Sequence, residues 1–279
     1  MVGNTEVTTS TTAQGRDYFY RHRLPTRITH WATAIAVFGL LMSGFGIFNA
    51  HPRLYWGHSG SNSDPAAFEM TTQNGKGVVR LGSLTLETDG VFGRSAVNGQ
   101  VFSRGFPAAV TLPGPQNLAV ARRWHFFFAW VFGASLATYF IFSIANGHLR
   151  RDLAPKKSEL SLKHIVHDIV EHVKLNFPTG EATKNYNILQ KLAYLGTLIG
   201  LLPIMILTGL TMSPGFNAIA PWLVTLFGGR QSARTIHFIA AAGIVAFILV
   251  HLIMVVLAGP INEVRSMITG RFAIPPEKK

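Results

Sequence analysis

IHFIAAAGIVAFILVHLIMVVLAG, residues Ile236 to Gly259, is 24 residues long and contains no Asp, Glu, Lys or Arg. A helix of that length and polarity crosses a bilayer. Two histidines interrupt it, His237 and His251. Ionisable side chains are costly in hydrocarbon and mark function there. Over their 14-residue spacing a helix falls about 40° short of four full turns and rises about 21 Å. Both imidazoles therefore leave nearly the same face, one towards each side of the membrane. Ala240, Ala241, Ile244 and Ile248 lie on that face between them, and the alanines beside His237 leave room for something flat and bulky. Neutral imidazole is a common metal ligand, and haem iron takes axial ligands such as His. The expectation is one helix holding two stacked b-type haems. The alternative is two buried histidines hydrogen-bonded to neighbouring helices.

The rest of the chain fits a membrane setting. Of 279 residues, 48% are hydrophobic and 14% charged, which points away from a soluble protein of this length. With no cysteine, disulfides, Fe–S clusters, zinc-thiolate sites and covalent c-type haem are excluded. Any redox role must rest on non-covalent haem and on a partner that completes the chain. The net charge of +12 suggests topology and anionic lipid first; no nucleic-acid motif is present.

The spacing predicts an all-α integral membrane fold: a four-transmembrane-helix bundle with a long outer loop and an interfacial amphipathic helix. Residues 1–15 are polar and Thr-rich, with no basic region leading into an apolar core, and are expected to form a disordered tail. The membrane domain is expected over 16–279, with spans at about 28–48, 118–146, 192–213 and 236–259. Gly39, Gly44 and Gly46 suit close helix packing in the first span, and Pro203 should kink the third. The outer loop, 50–117, is far longer than an ordinary connection. It carries turn signals at Asn74-Gly75, Asp89-Gly90 and Asn98-Gly99 around alternating runs such as VVRLGSLTLE, so an extramembrane cap or docking surface with some β-hairpin content is expected. The inner connection, 147–187, includes SLKHIVHDIVEHVKLNF, which places Ile165, Ile169, Val173 and Phe177 at helical spacing. Its His164, His167 and His172 read as a solvated face.

Four spans put both termini on one side. Sixteen Lys/Arg flank that side and nine the other, which assigns the termini to the cytoplasm. Depth then groups the histidines. His30 starts the first span at the inner level, with His251; His125 starts the second at the outer level, with His237. Depth alone leaves His51 and His148 as rivals. His51 precedes Pro52, which disfavours helix, and His148 lies beyond Asn146-Gly147, a stop signal. Arg27 and Arg122 each stand three residues before a histidine and could pair with haem propionates or serve as interfacial anchors.

Four segments carry a family resemblance: RITHW with the first span ending near MSG, ARRWHFFF in the second, NYNILQK followed by LTGL in the third, and IHFIAAAGIVAFILVH in the fourth. The chain resembles the four-helix, di-haem bacterial cytochromes b of the b561-like group, the membrane subunits of formate dehydrogenase, nickel–iron hydrogenase and thiosulfate reductase systems. The resemblance implies two haems b, with ligand pairs on His30–His251 and His125–His237. It also implies a quinone site by the cytoplasmic haem next to Asn187, a periplasmic dehydrogenase or reductase partner of molybdenum, nickel–iron or iron–sulfur type, and a place in the bacterial inner membrane. The long loop departs from the formate dehydrogenase form and looks closer to the thiosulfate-reductase-like members. Asn187 offers a donor and an acceptor to a quinone, with Gln190 and Lys191 beside it; it is equally suited to cap the third helix.

The expected function is an electron relay across the membrane between that partner and the quinone pool, running from substrate dehydrogenase to quinone, with a quinol-driven reductase left open. Two rival classes remain: a small transporter or proton channel using the histidines as relays, and a haem-free anchor subunit. The spans contain no acidic residue and no inverted repeat, which weighs against the transporter.

Overall fold

The computed structural model describes residues 10–11, 17–174, 176, 179–180, 183 and 185–276. In chain order, β1 (Ser10–Thr11) and β2 (Asp17–Tyr20) precede α1 (Leu24–Phe48). Then come β3 (Arg53–Leu54), β4 (Phe68–Gln73), β5 (Lys76–Leu81), β6 (Leu84–Glu87), β7 (Arg94–Val97) and β8 (Gln100–Ser103). They are followed by α2 (Leu118–Ala145), α3 (Leu162–Val173), α4 (Ile188–Leu195), α5 (Leu202–Thr211), the short α6 (Pro214–Ile219) and α7 (Trp222–Leu226), α8 (Arg230–Ala258), α9 (Pro260–Thr269) and β9 (Arg271–Ala273).

Four stretches are long and apolar enough to cross a membrane: α1, α2, the run Ile188–Thr211 and α8. A helix satisfies its backbone polar groups internally, which hydrocarbon demands. Large apolar side chains stay exposed on them, among them Phe38, Ile144, Ile199, Leu252 and Trp130, the last at 81%. That surface would be costly in water and costs nothing in lipid. Pro203 cannot donate to the carbonyl four residues back, and the chain before it, Gly196–Leu201, widens to π-helical pairing between α4 and α5. This is the local adjustment such a break calls for.

The described residues form two compact units. One comprises residues up to Trp31, Ser135–Gly200 and Ile244 onwards; the other comprises Ala32–Ala134 and Leu201–Gly243.

The second unit corrects the all-α expectation. Residues 53–87 form a four-stranded antiparallel sheet in the order β3-β4-β5-β6, and β7 and β8 form a hairpin. Local chemistry explains it. Asn74 and Gly75 have φ of 51° and 77°, and Asn98 and Gly99 have 49° and 79°; two successive positive values are what a two-residue hairpin turn of type I′ requires. The segment VVRLGSLTLE becomes the end of β5 and β6. A module this small cannot bury a core alone, and it shares one with the helices. Phe48, Leu54, Met70 and Phe106 are buried together, with Phe45, Phe68, Val79, Phe92 and Phe238 packed against them. Phe45 stacks on Phe106 at 4.1 Å, and Phe48 lies 4.8 Å from Phe238. Polar ties reinforce the junction. The Asn49 side chain donates to the Phe106 carbonyl and accepts from its N–H, and Thr235 donates to the Tyr55 carbonyl at 2.6 Å. Within the sheet, buried Glu69 accepts from Arg53 and Arg80 at 3.2 and 2.7 Å.

Close helix approach in this unit depends on glycine. A Cβ on Gly39 would collide with the Phe128 ring, and one on Gly46 would stand 3.2 Å from the Ala121 Cβ.

In the first unit the two ends of the chain meet. β2 pairs antiparallel with both β1 and β9, in register Tyr18↔Ala273, Phe19↔Phe272, Tyr20↔Arg271. The expected disordered tail lies outside the described residues except for Ser10–Thr11. Arg21 sits over the Phe272 ring at 4.5 Å and reaches Glu263 at 3.5 Å. On α3, Leu162, Val166, Ile169 and Val170 form an exposed apolar stripe; Phe177, expected on that face, lies outside the described residues.

Candidate functional site

Two histidine pairs stand out. In the first unit, His30 at the start of α1 faces His251 on α8, ring centroids 6.4 Å apart. In the second, His125 on α2 faces His237 on α8, also at 6.4 Å. The ring planes cross at 56° and 61°. The coincidence of the two distances has a simple chemical reading. An imidazole nitrogen sits about 2 Å from a bound metal and roughly 1.2 Å from its own ring centre, so two imidazoles sharing one iron would have centroids about 6.4 Å apart. Both pairs fit a haem iron held between them. No cluster of three or more His, Cys, Asp or Glu suited to a bare metal ion occurs among the described residues.

The donor chemistry of the second-unit pair also fits. Ser43 Oγ lies 3.1 Å from His125 Nδ1, and Thr208 Oγ1 lies 3.0 Å from His237 Nδ1. His125 also bonds the Leu40 backbone, and His237 the Met205 backbone. Each ring is therefore held through Nδ1, which leaves Nε2 for a metal. Glycines border both rings: a Cβ on Gly44 would lie 3.5 Å from the His125 Cε1, and one on Gly209 would lie 3.4 Å from the His237 Cε1, both ordinary contacts.

The first-unit pair is built differently. His30 Nδ1 is buried without a hydrogen-bond partner among the described residues. The His251 ring lies nearly parallel to Phe247, 12° apart at 5.9 Å, and Trp31 meets the His30 ring edge-on. Trp31 Nε1 donates to the Met267 carbonyl at 3.1 Å, and Arg27 donates to the Ile268 carbonyl. Arg27 Nε is buried and unpartnered among the described residues, an orphan donor suited to an anionic group. Nearby, burial and then the charge of Arg21 push His22 down to about 3.

The rival histidines are engaged elsewhere. His51 stacks on Tyr55 beyond the end of α1, and His148 Nδ1 lies 2.7 Å from Asp152. Arg122 sits over Phe126 at 5.9 Å. The three-residue offset from a histidine recurs at Arg234, whose guanidinium is given to the His51 and Arg53 carbonyls; the offset by itself does not mark a cofactor contact.

Asn187 is the N-cap of α4. Its Oδ1 accepts from the Gln190 N–H at 2.8 Å, while Gln190 Oε1 accepts from the Asn187 N–H at 3.3 Å, a capping box. Lys191 is buried and donates to both carboxylate oxygens of Glu159 at 2.9 Å. The hydrogen bond from the Lys156 N–H, then Lys191, holds the Glu159 carboxyl below the usual range.

The residues the sequence reading missed are Ser43 and Thr208. A signal was present: each is a hydroxyl residue followed at once by glycine, in the segments MSG and LTGL.

Comparisons with known proteins point the same way. The family model for prokaryotic cytochrome b561 matches residues 21–270. A protein of Azospira oryzae, described as putative protein-methionine-sulfoxide reductase subunit YedZ1, is 28% identical over 231 residues, covering 83% of this chain and 87% of the relative. No solved structure matches the chain significantly.

Proposed function

Since the chain belongs to the prokaryotic cytochrome b561 family, and so is a multi-pass, haem-binding membrane electron-transfer subunit, we propose that it carries two haems b and relays electrons between a periplasmic oxidoreductase partner and the quinone pool of the bacterial inner membrane. The observation that carries this reading is the pair of histidine couples at one common spacing of 6.4 Å. His30 and His251 would hold one haem, and His125 and His237 the other; bound haem would supply the one-electron chemistry. The protein's part is to present neutral imidazoles, to orient them and to keep water out.

The β2–β9 pairing supports termini on one side, and the excess of Lys/Arg there makes that side cytoplasmic. His125–His237 is then the outer pair and His30–His251 the inner one. Arg27, with its buried unpartnered Nε, is an inner propionate partner, and Arg122 the outer candidate. The apolar stripe of α3 is suited to lie in the cytoplasmic interface.

The outer β module is the docking face. Its shared core includes Phe238, next to the ligand His237, so a partner bound there would sit close to the outer pair in sequence and packing. The Azospira relative is named as a reductase subunit, which favours electrons running from quinol to partner over the reverse.

The quinone site is placed beside Asn187, in the same unit as the inner pair. Asn187 keeps its capping role and contributes its amide to a quinone carbonyl; Tyr186 and Tyr194, edge to face at 5.7 Å, provide apolar wall.

The test is an absorption spectrum and haem quantitation of the purified protein. Two haems b per chain are expected, and one or none would overturn the reading.

A further inference from the structure

Two hydroxyl groups in the second unit have the same arrangement on different helices. Ser43 lies inside α1 and donates to the Gly39 carbonyl at 2.6 Å. Thr208 lies inside α5 and donates to the Ile204 carbonyl at 2.6 Å. That bond back to the residue four before is common for a hydroxyl in a helix and would not by itself mean anything. It has a consequence here because a hydroxyl has one proton. With that proton given to the helix carbonyl, Ser43 Oγ can only accept from His125 Nδ1, at 3.1 Å, and Thr208 Oγ1 only from His237 Nδ1, at 3.0 Å. In a neutral imidazole one nitrogen carries hydrogen and the other a lone pair. Nδ1 therefore carries the hydrogen in both rings, and the lone pair is on Nε2. The hydroxyl that meets each ring sets this tautomer in both cases. The residue after each hydroxyl is glycine, which borders the imidazole Cε1.

We infer that Ser43 and Thr208 are positioning residues for the haem held by His125 and His237: each fixes the tautomer and tilt of one axial ligand, and together they set that ligand pair's basicity. This rests on the two-haem reading above. An imidazole that donates from Nδ1 is a stronger electron donor at Nε2, which favours ferric over ferrous iron and lowers the potential of that haem alone. His30 Nδ1 has no such partner among the described residues, so the other haem is an internal control.

The experiment uses the full-length protein purified with its haem. Ser43→Ala and Thr208→Val remove one hydroxyl each; Ser43→Thr and Thr208→Ser keep it. Optical redox titration gives the two midpoint potentials, and low-temperature EPR gives the ferric signature of each haem. Removal of both hydroxyls should weaken the ferric preference roughly tenfold, an upward shift of about 59 mV for a one-electron couple, with a smaller shift for each single variant. The second potential should not move, and the hydroxyl-retaining variants should match the parent. Loss of one haem in Ser43→Ala with retention in Ser43→Thr carries the same meaning. Unchanged potentials and EPR signals at full haem content would overturn the inference, as would equal shifts from Ser43→Ala and Ser43→Thr. A His237→Ala control separates the levels: if it keeps both haems, the ligand reading fails, whereas if it drops one haem while the hydroxyl variants are silent, only this inference fails.

Discussion

The two histidine pairs share a spacing and differ in what holds their rings. His125 and His237 are each tied through Nδ1 to a hydroxyl on a neighbouring helix. His30 has a buried Nδ1 with no partner among the described residues, and His251 rests against the Phe247 ring. A hydrogen bond selects one tautomer and one tilt; an apolar contact selects neither. The His125–His237 pair is thus organised on its own, and on the two-haem reading proposed above the His30–His251 pair would take part of its order from a bound haem. Preorganisation of that kind lowers the entropic cost of binding.

The largest effect available is the loss of a ligand. His237→Ala should take the haem content from about two per chain to about one, and His251→Ala should do the same for the other site; optical spectra would show which haem remains. When haem supply is limiting, the His125–His237 site should fill first, and equal filling of the two would break the comparison. Next comes Asn187→Asp. Asp caps a helix as well as Asn does, so fold and haem content should hold, while loss of the amide donor slows quinol-driven haem reduction at the inner site about tenfold, or ~1.4 kcal/mol. Stopped-flow rates equal to the parent's would leave Asn187 as a cap alone.

A change of similar size is expected at the other end of the relay. Leu84 and Leu86 are 55% and 54% exposed on the edge strand β6. Leu84→Glu with Leu86→Glu should weaken partner binding by about 1–2 kcal/mol and leave both potentials alone; titration of the purified partner would measure it. A last test concerns pH. His22 is held neutral, its folded value near 3 against an ordinary 6.5. Because the folded value lies below the unfolded one, its contribution is complete above about pH 6.5 and is lost as pH falls towards 3, at up to about 1.4 kcal/mol per pH unit. Since His22 belongs to the unit of His30 and His251, thermal melts between pH 7 and 4 should release that haem first, and His22→Asn should flatten the difference.

How far the sequence could be read depended on the range of the contact. His237 and His251 were conspicuous as ionisable groups in an apolar run; depth offered His30 and His125 opposite them but left His51 and His148 as rivals, and only the fold shows which rings meet. The hairpins were legible because Asn74-Gly75 and Asn98-Gly99 state their backbone geometry locally. The all-α label was too narrow, since the four helical spans are present but the outer loop is a β module whose core is not local: Phe238 meets Phe48 and Phe68 from far along the chain. Ser43 and Thr208 passed unnoticed since a hydroxyl in a helix has an innocuous use, and only the placement of the histidine rings shows the second one. Strands β2 and β9, four and three residues long, are too short for alternation to signal them.

The sheet that joins β2 to β9 also sets a timetable. Tyr18 and Ala273 are register partners 255 residues apart. At about 5–20 residues per second, the ribosome needs tens of seconds to supply the second after the first. A slightly shorter interval separates His30 from His251, because α1 is made first and α8 nearly last. Throughout it, one histidine of the couple waits without the other. Until α8 and β9 are made, β2 and α1 therefore stand without the strand and the histidine they will meet, and a chain that stops before His237 carries neither the β2–β9 clasp nor either histidine couple.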